Sequence, residues 1–227
     1  MNDRPLVTAV IPAFNAEAFI GEAIESVLRQ DYGRVEAIVV DDGSTDRTAA
    51  IASRCEVKVL RQQNRGQAAA RNAGVAVAAG AFVSFLDADD LWTPSKLSTE
   101  AAHLLAHPEL DYVLVRMQRT LLPGAPWPPG TPAHWFDEPQ PGTLPSAALV
   151  RRSVLGRIGP FDTRFRHGSD TDWQARAADA GVRYELLPDV LVRYRVHGAN
   201  DSYDNLGMRR EMFELLRASL ARKRVAK

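Results

Sequence analysis

"FVSFLDADDLW", residues 82–92, runs from an apolar stretch straight into three carboxylates. Asp87, Asp89 and Asp90 stand at the mouth of what reads as a buried strand, where like charges repel and resist leaving water. Bulk solvent, buried Arg or Lys partners, or a bound cation must offset them. A lone Asp-x-Asp is most simply a solvated acidic turn. The text on either side points away from that reading.

Outward from this stretch, strand-like and helix-like patterns alternate. "LVTAVI" (6–11) reads as a first strand stopped by Pro12, and residues 17–30 place Phe19, Ile20, Ile24, Val27 and Leu28 on one helical face. "VEAIVV" (35–40) and "VKVL" (57–60) read as further strands, and the Ala-rich "GQAAARNAGVAVAAG" as a helix. A helix is expected from about Pro94 to His107, with Thr93 as its N-cap. The alternation predicts a Rossmann-like α/β domain whose mainly parallel, mixed central sheet is flanked by helices.

In such sheets ligands bind at the carboxyl ends of the strands. Three of those ends carry polar, loop-forming text: "PAFN" (12–15), "DDGSTD" (41–46) and "DADD" (87–90). They are expected to open on one rim, lining a cleft with Asn15, Asp41, Asp42, Asp87 and Asp89. Asp87 and Asp89 point to the same side of an extended segment. Paired carboxylates suit a hard divalent cation that takes its other ligands from water and substrate phosphates. A calcium loop starting at Asp87 fails by register, because Leu91 and Trp92 occupy positions needing a carboxylate or amide and a glycine. "NRGQAAARNAG" (64–74) adds Arg65 and Arg71, which can pair with an aspartate or clamp a diphosphate.

Bulk properties narrow the function classes. The 227 residues balance 28 basic against 28 acidic side chains, which argues against a general nucleic-acid binder. The single Cys55 excludes an intramolecular disulfide and a Cys-based zinc site. No apolar run approaches the ~20 residues of a membrane span, and the first residues lack a signal-like pattern. A cytoplasmic location is expected.

Past "DYVLVRMQRT" (111–120) the pattern changes: residues 121–145 hold eight of the chain's 14 prolines together with Trp127, Trp135 and Phe136. So long a loop is usually functional or disordered, and its aromatics argue for the former. A strand at 146–150, a helix at 169–181, strands near 183–187 and 190–196 and a C-terminal helix from about 206 complete the expectation. The chain is expected to form one domain with two halves, 1–110 and 111–205, followed by a helix at 206–227. The basic end "RASLARKRVAK" reads as a solvated helix face or a peripheral membrane contact.

"VIPAFNAEAFIGEAIESVLRQ", "IVVDDGSTDRT", "NRGQAAARNAG" and "FVSFLDADDLWTPSKL", in this order, resemble the family 2 glycosyltransferases of GT-A fold. The resemblance resumes at "GPFDTRFRHGSDTDWQARAADAG" and "VRYRVHGANDS". It implies a nucleotide-diphospho-sugar donor, a divalent metal (Mn²⁺ or Mg²⁺) and a saccharide, lipid-linked or peptide acceptor. Pro12, Phe14, Asn15, Asp41, Asp42, Arg71 and Asp87 would then bind the nucleotide. Asp89 and His197 would face the metal, and Asp170 would be the catalytic base. Loop 121–145 falls where such enzymes meet their acceptors. Ser169 stands where the family commonly has Glu, and Phe14 where it often has Tyr. The Gln-x-x-Arg-Trp signature of processive members is absent, so single-sugar transfer is expected. A degenerate member that binds donor without turnover, and an Asp-x-Asp phosphatase, are the rival readings. His103, His107, His134 and His167 share no ligand spacing.

Overall fold

The computed structural model describes residues 4–200 and 205–225. The strands are β1 (Val7–Ala13), β2 (Val35–Asp41), β3 (Lys58–Arg61), β4 (Phe82–Phe85), β5 (Leu91–Trp92), β6 (Tyr112–Leu121), β7 (Gln140–Pro141), β8 (Ala148–Arg151) and β9 (Tyr184–Val196). The helices are α1 (Ile20–Leu28), α2 (Thr48–Ala52), α3 (Gln67–Ala76), α4 (Lys96–Ala106), α5 (His134–Asp137), α6 (Arg152–Ile158), α7 (Ser169–Asp179) and α8 (Asn205–Val225). One nine-stranded sheet runs in the order β3-β2-β1-β4-β8-β6-β9-β5, with β7 beside β6.

The first half of the sheet is parallel: β1 pairs β2 and β4, and β2 pairs β3. The carboxyl ends of β1, β2 and β4 therefore open on one rim, as their loop text predicts. β8 then pairs antiparallel with both β4 and β6, while β6 and β9 are parallel. The mixed α/β sheet expected from the alternation is present, and it continues through both halves of the chain.

Helices cover both faces. On one, Ile20, Ala23, Ile24 and Val27 of α1 and Leu97, Ala101 and Leu104 of α4 pack on the sheet. On the other, Ala68 and Ala70 of α3 and Trp173 and Ala177 of α7 meet Val10, Ile38, Val40 and Phe85. The small residues of α3 allow close approach. A methyl on Gly74 would sit 2.3 Å from Val10 Cγ1, so a glycine is needed where helix crosses strand.

Several element boundaries differ from the sequence reading. β1 does not stop at Pro12: it continues to Ala13, whose carbonyl accepts the Asp42 N–H at 2.8 Å. Leu28 lies outside the buried face of α1 and is exposed. α4 starts at Lys96 with Ser95 as N-cap, because Thr93 N–H is drawn to the Leu191 carbonyl at 3.0 Å. The strands near 183–187 and 190–196 are one strand, β9, whose register shifts against β6 between Leu114 and Arg116. Pro188 and Asp189 fall in that irregularity, where a missing N–H is tolerated. β5 and α6 are additions that the hydrophobic pattern does not announce.

Candidate active site

β4 delivers the acidic loop to the rim, and each of its carboxylates meets a different solution. Asp87 accepts Arg71 Nη2 at 2.9 Å and Gln67 Nε2 at 2.9 Å, both from the first two turns of α3. Arg71 is 2% exposed and lies over the Phe161 ring at 5.7 Å, with its buried Nε unpartnered. Burial pushes the Asp87 carboxyl above its ordinary range; Arg71 opposes this, and Asp89 and Asp170 reinforce it.

Asp90 turns inward, accepting from Ser146 Oγ at 3.0 Å and from the Arg195 N–H at 3.2 Å. Burial, then the charges of Asp89 and Asp87, raise it well above the usual carboxylate range. The Arg195 side chain reaches the Asp89 carbonyl and Glu22, bringing β9 and α1 against the acidic loop. Its guanidinium lies over the Phe19 ring at 5.0 Å.

Asp89 is the most available of the three. Its Oδ2 meets His197 Nε2 at 3.0 Å and Asn200 Nδ2 at 3.3 Å. The His197 ring packs against Phe19 with centroids 4.4 Å apart. Asn200 Oδ1 accepts the His197 N–H at 2.9 Å, and its Nδ2 also reaches the Arg195 carbonyl at 2.9 Å. The structure thus brings together Asp89 and His197, which lie 108 residues apart in sequence.

The β1 and β2 ends build the neighbouring wall. Phe14 is 49% exposed, leaving a ring face open for stacking. Asn15, in the left-handed region at φ 47°, accepts the Thr45 N–H at 2.9 Å and ties the β1 loop to the β2 loop. Asp41 is fully buried and is spent on Arg61 Nε at 3.1 Å and the Ser44 N–H at 3.1 Å. Asp42 accepts Gln62 Nε2 at 2.7 Å and the amides of Arg65 at 3.0 Å and Gly66 at 2.8 Å. Both carboxylates therefore hold loops in place: Asp42 Oδ1 takes two donors, while Asp42 Oδ2 and each Asp41 oxygen take one. Pro12 is buried inside β1 and acts through the backbone it fixes.

Asp170 enters from the other half of the sheet, in the first turn of α7, where a negative charge is structurally favoured. Burial raises its carboxyl above the ordinary range, Arg71 pulls it back, and Glu211 adds to the rise. The Arg71 charge therefore acts on Asp170 as well as on Asp87, with which it pairs directly. Asp172, two residues on and buried, is committed to Arg176 Nε at 2.8 Å and serves the helix.

Gln67, Ser146, Arg195, Asn200 and Glu211 were not singled out in the sequence, since each lies outside the acidic motif it supports. Three of them nonetheless stood inside quoted blocks, Gln67 in "NRGQAAARNAG" and Arg195 and Asn200 in "VRYRVHGANDS". Loop 121–145 is ordered in part, through α5 and β7. It carries Trp135 onto Arg119 at 4.8 Å, and Arg119 lies in turn over Tyr194 at 4.9 Å. A methyl on Gly198 would lie 2.7 Å from Pro126 Cδ, so this loop reaches the segment bearing His197.

Could a divalent cation sit here? Among the described residues no three His, Cys, Asp or Glu side chains could hold a metal ion by themselves. One free oxygen of Asp89, with Asp87 close by, instead fits a cation that brings water and a diphosphate as its remaining ligands. The donor set is all-oxygen apart from His197, which suits Mg²⁺ or Mn²⁺.

A parallel-sheet rim carrying an Asp-x-Asp loop is the arrangement that the resemblance to the GT-A fold leads one to expect. The family model for glycosyl transferase family 2 matches residues 8–166. The chain belongs to that family. A glycosyltransferase of Nostoc sp. is 30% identical over 221 residues, covering 86% of this chain and 66% of its own length. The UDP-Glc:alpha-D-GlcNAc-diphosphoundecaprenol beta-1,3-glucosyltransferase WfgD of Escherichia coli is 38% identical over 107 residues, 45% of this chain and 42% of the relative. The crystal structure of S. aureus TarS 1-349 in complex with UDP-GlcNAc superposes with a TM-score of 0.77 at 24% identity, covering 96% of this chain and 66% of that one. The chain thus spans about two thirds or less of the length of these relatives. No helix among the described residues is long and apolar enough to cross a membrane.

Proposed function

We propose that the chain carries the site of an inverting, non-processive glycosyltransferase that moves one sugar from a UDP-linked donor to an acceptor hydroxyl. The observation that carries this reading is one sheet rim on which Asp87 is held by Arg71 Nη2 at 2.9 Å and Asp89 stands beside His197 Nε2 at 3.0 Å, with the Arg71 charge also acting on Asp170. Phe14 would stack on the base, with Asp42 and Asn15 holding the loops around it. Arg71 and Asp87 would flank the ribose and diphosphate. A divalent cation bound at Asp89, beside His197, would neutralise the charge that collects on the departing diphosphate. The UDP-GlcNAc complex of a structural relative and the UDP-Glc named for the E. coli relative support a uridine donor.

Asp170 would take the proton of the acceptor hydroxyl as its oxygen attacks the anomeric carbon. The bond to the diphosphate oxygen breaks on the opposite side, and that oxygen leaves with the electron pair. General-base catalysis of this kind is worth ~10²–10⁴ in rate. A carboxyl raised by burial is a stronger base than a solvated one, yet Arg71 keeps it ionisable.

A lipid-linked acceptor agrees with the name of the E. coli relative. It also agrees with the exposed Met212, Phe213, Leu216 and Leu220 on α8, which would let the chain rest against a membrane surface. The basic end proposed for such contact lies partly outside the described residues, and Arg222 is already spent on Asp179 at 2.9 Å. A cytoplasmic location is part of the same proposal.

The test is calorimetry of UDP with Mn²⁺. Asp89→Ala is expected to abolish the metal-dependent part of UDP binding in a folded protein; wild-type affinity would remove Asp89 from this role.

A further inference from the structure

Glu211 lies on α8, beyond the end of the family match at residue 166. Its carboxylate accepts three consecutive backbone amides: Arg166 on Oε1 at 2.8 Å, and His167 and Gly168 on Oε2 at 2.9 and 2.8 Å. Those amides form the segment that leads into α7. Ser169, the first helical residue, is buried, and Asp170 follows it.

The contact is close by construction. A methyl on Gly168 would lie 2.9 Å from Leu215 Cδ1, one turn along α8 from Glu211, and Leu215 is itself buried. Further on, Arg222 Nε meets Asp179 Oδ2 at 2.9 Å, which fastens α8 along the length of α7. Hydrogen bonds from amides to a charged carboxylate are about twice as strong as neutral ones. A single acidic side chain therefore fixes the backbone immediately before the proposed base.

We infer that Glu211 is a positioning residue: it holds the 166–168 amides so that Asp170 faces the acceptor oxygen. The inference rests on the reading of Asp170 as the base. Three charged groups act on Asp170 from the elements around it: Arg71 on α3, Asp87 at the end of β4 and Glu211 on α8. Of these, Glu211 is the one that both shapes the backbone under Asp170 and adds to its affinity for a proton.

The experiment follows UDP release from UDP-N-acetylglucosamine with Mn²⁺, water serving as acceptor, across pH, alongside calorimetry of UDP. Glu211→Gln is expected to lower kcat about 10-fold, leave UDP affinity within about 2-fold, and move the acid limb of the pH profile to lower pH. Glu211→Asp keeps the charge but shortens the arm, so kcat is expected to fall while the acid limb stays put. UDP binding reports that each variant is folded. Should Glu211→Gln not fold, Glu211→Asp decides: wild-type kcat there overturns the inference. Wild-type kcat and profile in Glu211→Gln, with Asp170→Asn inactive, overturns the inference alone. Full activity in Asp170→Asn overturns the base assignment and this inference with it.

Discussion

Asn200 offers a direct perturbation of the acidic rim without touching a carboxylate. Leucine at this position keeps the branched skeleton, with methyls in place of the amide, and removes three hydrogen bonds, to the His197 N–H, the Arg195 carbonyl and Asp89 Oδ2. The site is 7% exposed, so water cannot readily replace them. At about 0.5–1.5 kcal/mol for each bond, with an added cost for the two backbone groups left unpaired, the loss comes to about 3 kcal/mol. For a domain of this size that corresponds to a fall in Tm of about 6–12 °C. Urea unfolding of metal-free protein measures it, and a Mn²⁺ titration in the presence of UDP follows the second consequence. With its orienting amide gone, Asp89 is expected to bind the metal–UDP pair at least several-fold more weakly. A loss under about 0.5 kcal/mol together with unchanged UDP–Mn²⁺ affinity would refute the view that Asn200 orders this loop.

Two further outcomes concern the acceptor loop and the buried charges. Trp135→Ala, which strips one ring from the Arg119 stack, is expected to weaken transfer to acceptor while donor hydrolysis stays nearly intact; equal loss of both would show that the loop supports the fold or the donor side. Glu100, fully buried against Lys96 Nζ at 2.7 Å, is pushed up to about 7 from 4.5 by burial, with Lys96 opposing. The folded state therefore holds this proton more tightly, so the stability it contributes is complete below 4.5 and is lost as pH rises through about 7. The partner Lys96 is lowered by burial, and its cost is relieved only at higher pH. Urea unfolding at pH 4.5 and 7.5 is expected to show a drop that Glu100→Gln reduces; an undiminished drop would assign the pH dependence elsewhere.

Much of this architecture is legible in the residues because the signals are local. The parallel half follows from apolar runs ending in "PAFN", "DDGSTD" and "DADD", and the order β2-β1-β4 places all three on one rim. What escaped is long-range. Asp41 reads as a cleft residue from its motif, yet it is fully buried and neutralised by Arg61, 20 residues away. β5 is two residues long and exists only because β9 offers it an edge. Arg195 reads as one more strand residue until its side chain is seen to join α1 to the acidic loop. Glu211 carries no signal at all, since a glutamate on a polar helix is the commonest of residues. The question raised by Asp87, Asp89 and Asp90 has a divided answer: an arginine holds Asp87, burial beside Ser146 raises the Asp90 carboxyl well above its ordinary range, and Asp89 is the one to which the proposed cation is assigned.

The central claim is that Asp170 removes the acceptor proton on the face opposite the departing diphosphate. The anomeric configuration of the transferred sugar tests it most directly, read from the proton–proton coupling at the anomeric carbon by NMR. From an α-linked UDP-sugar the account predicts a β-linked product, together with a loss of turnover of ~10²-fold or more in Asp170→Asn at nearly unchanged donor affinity. An α-linked product would contradict it, whatever the rate of the variant.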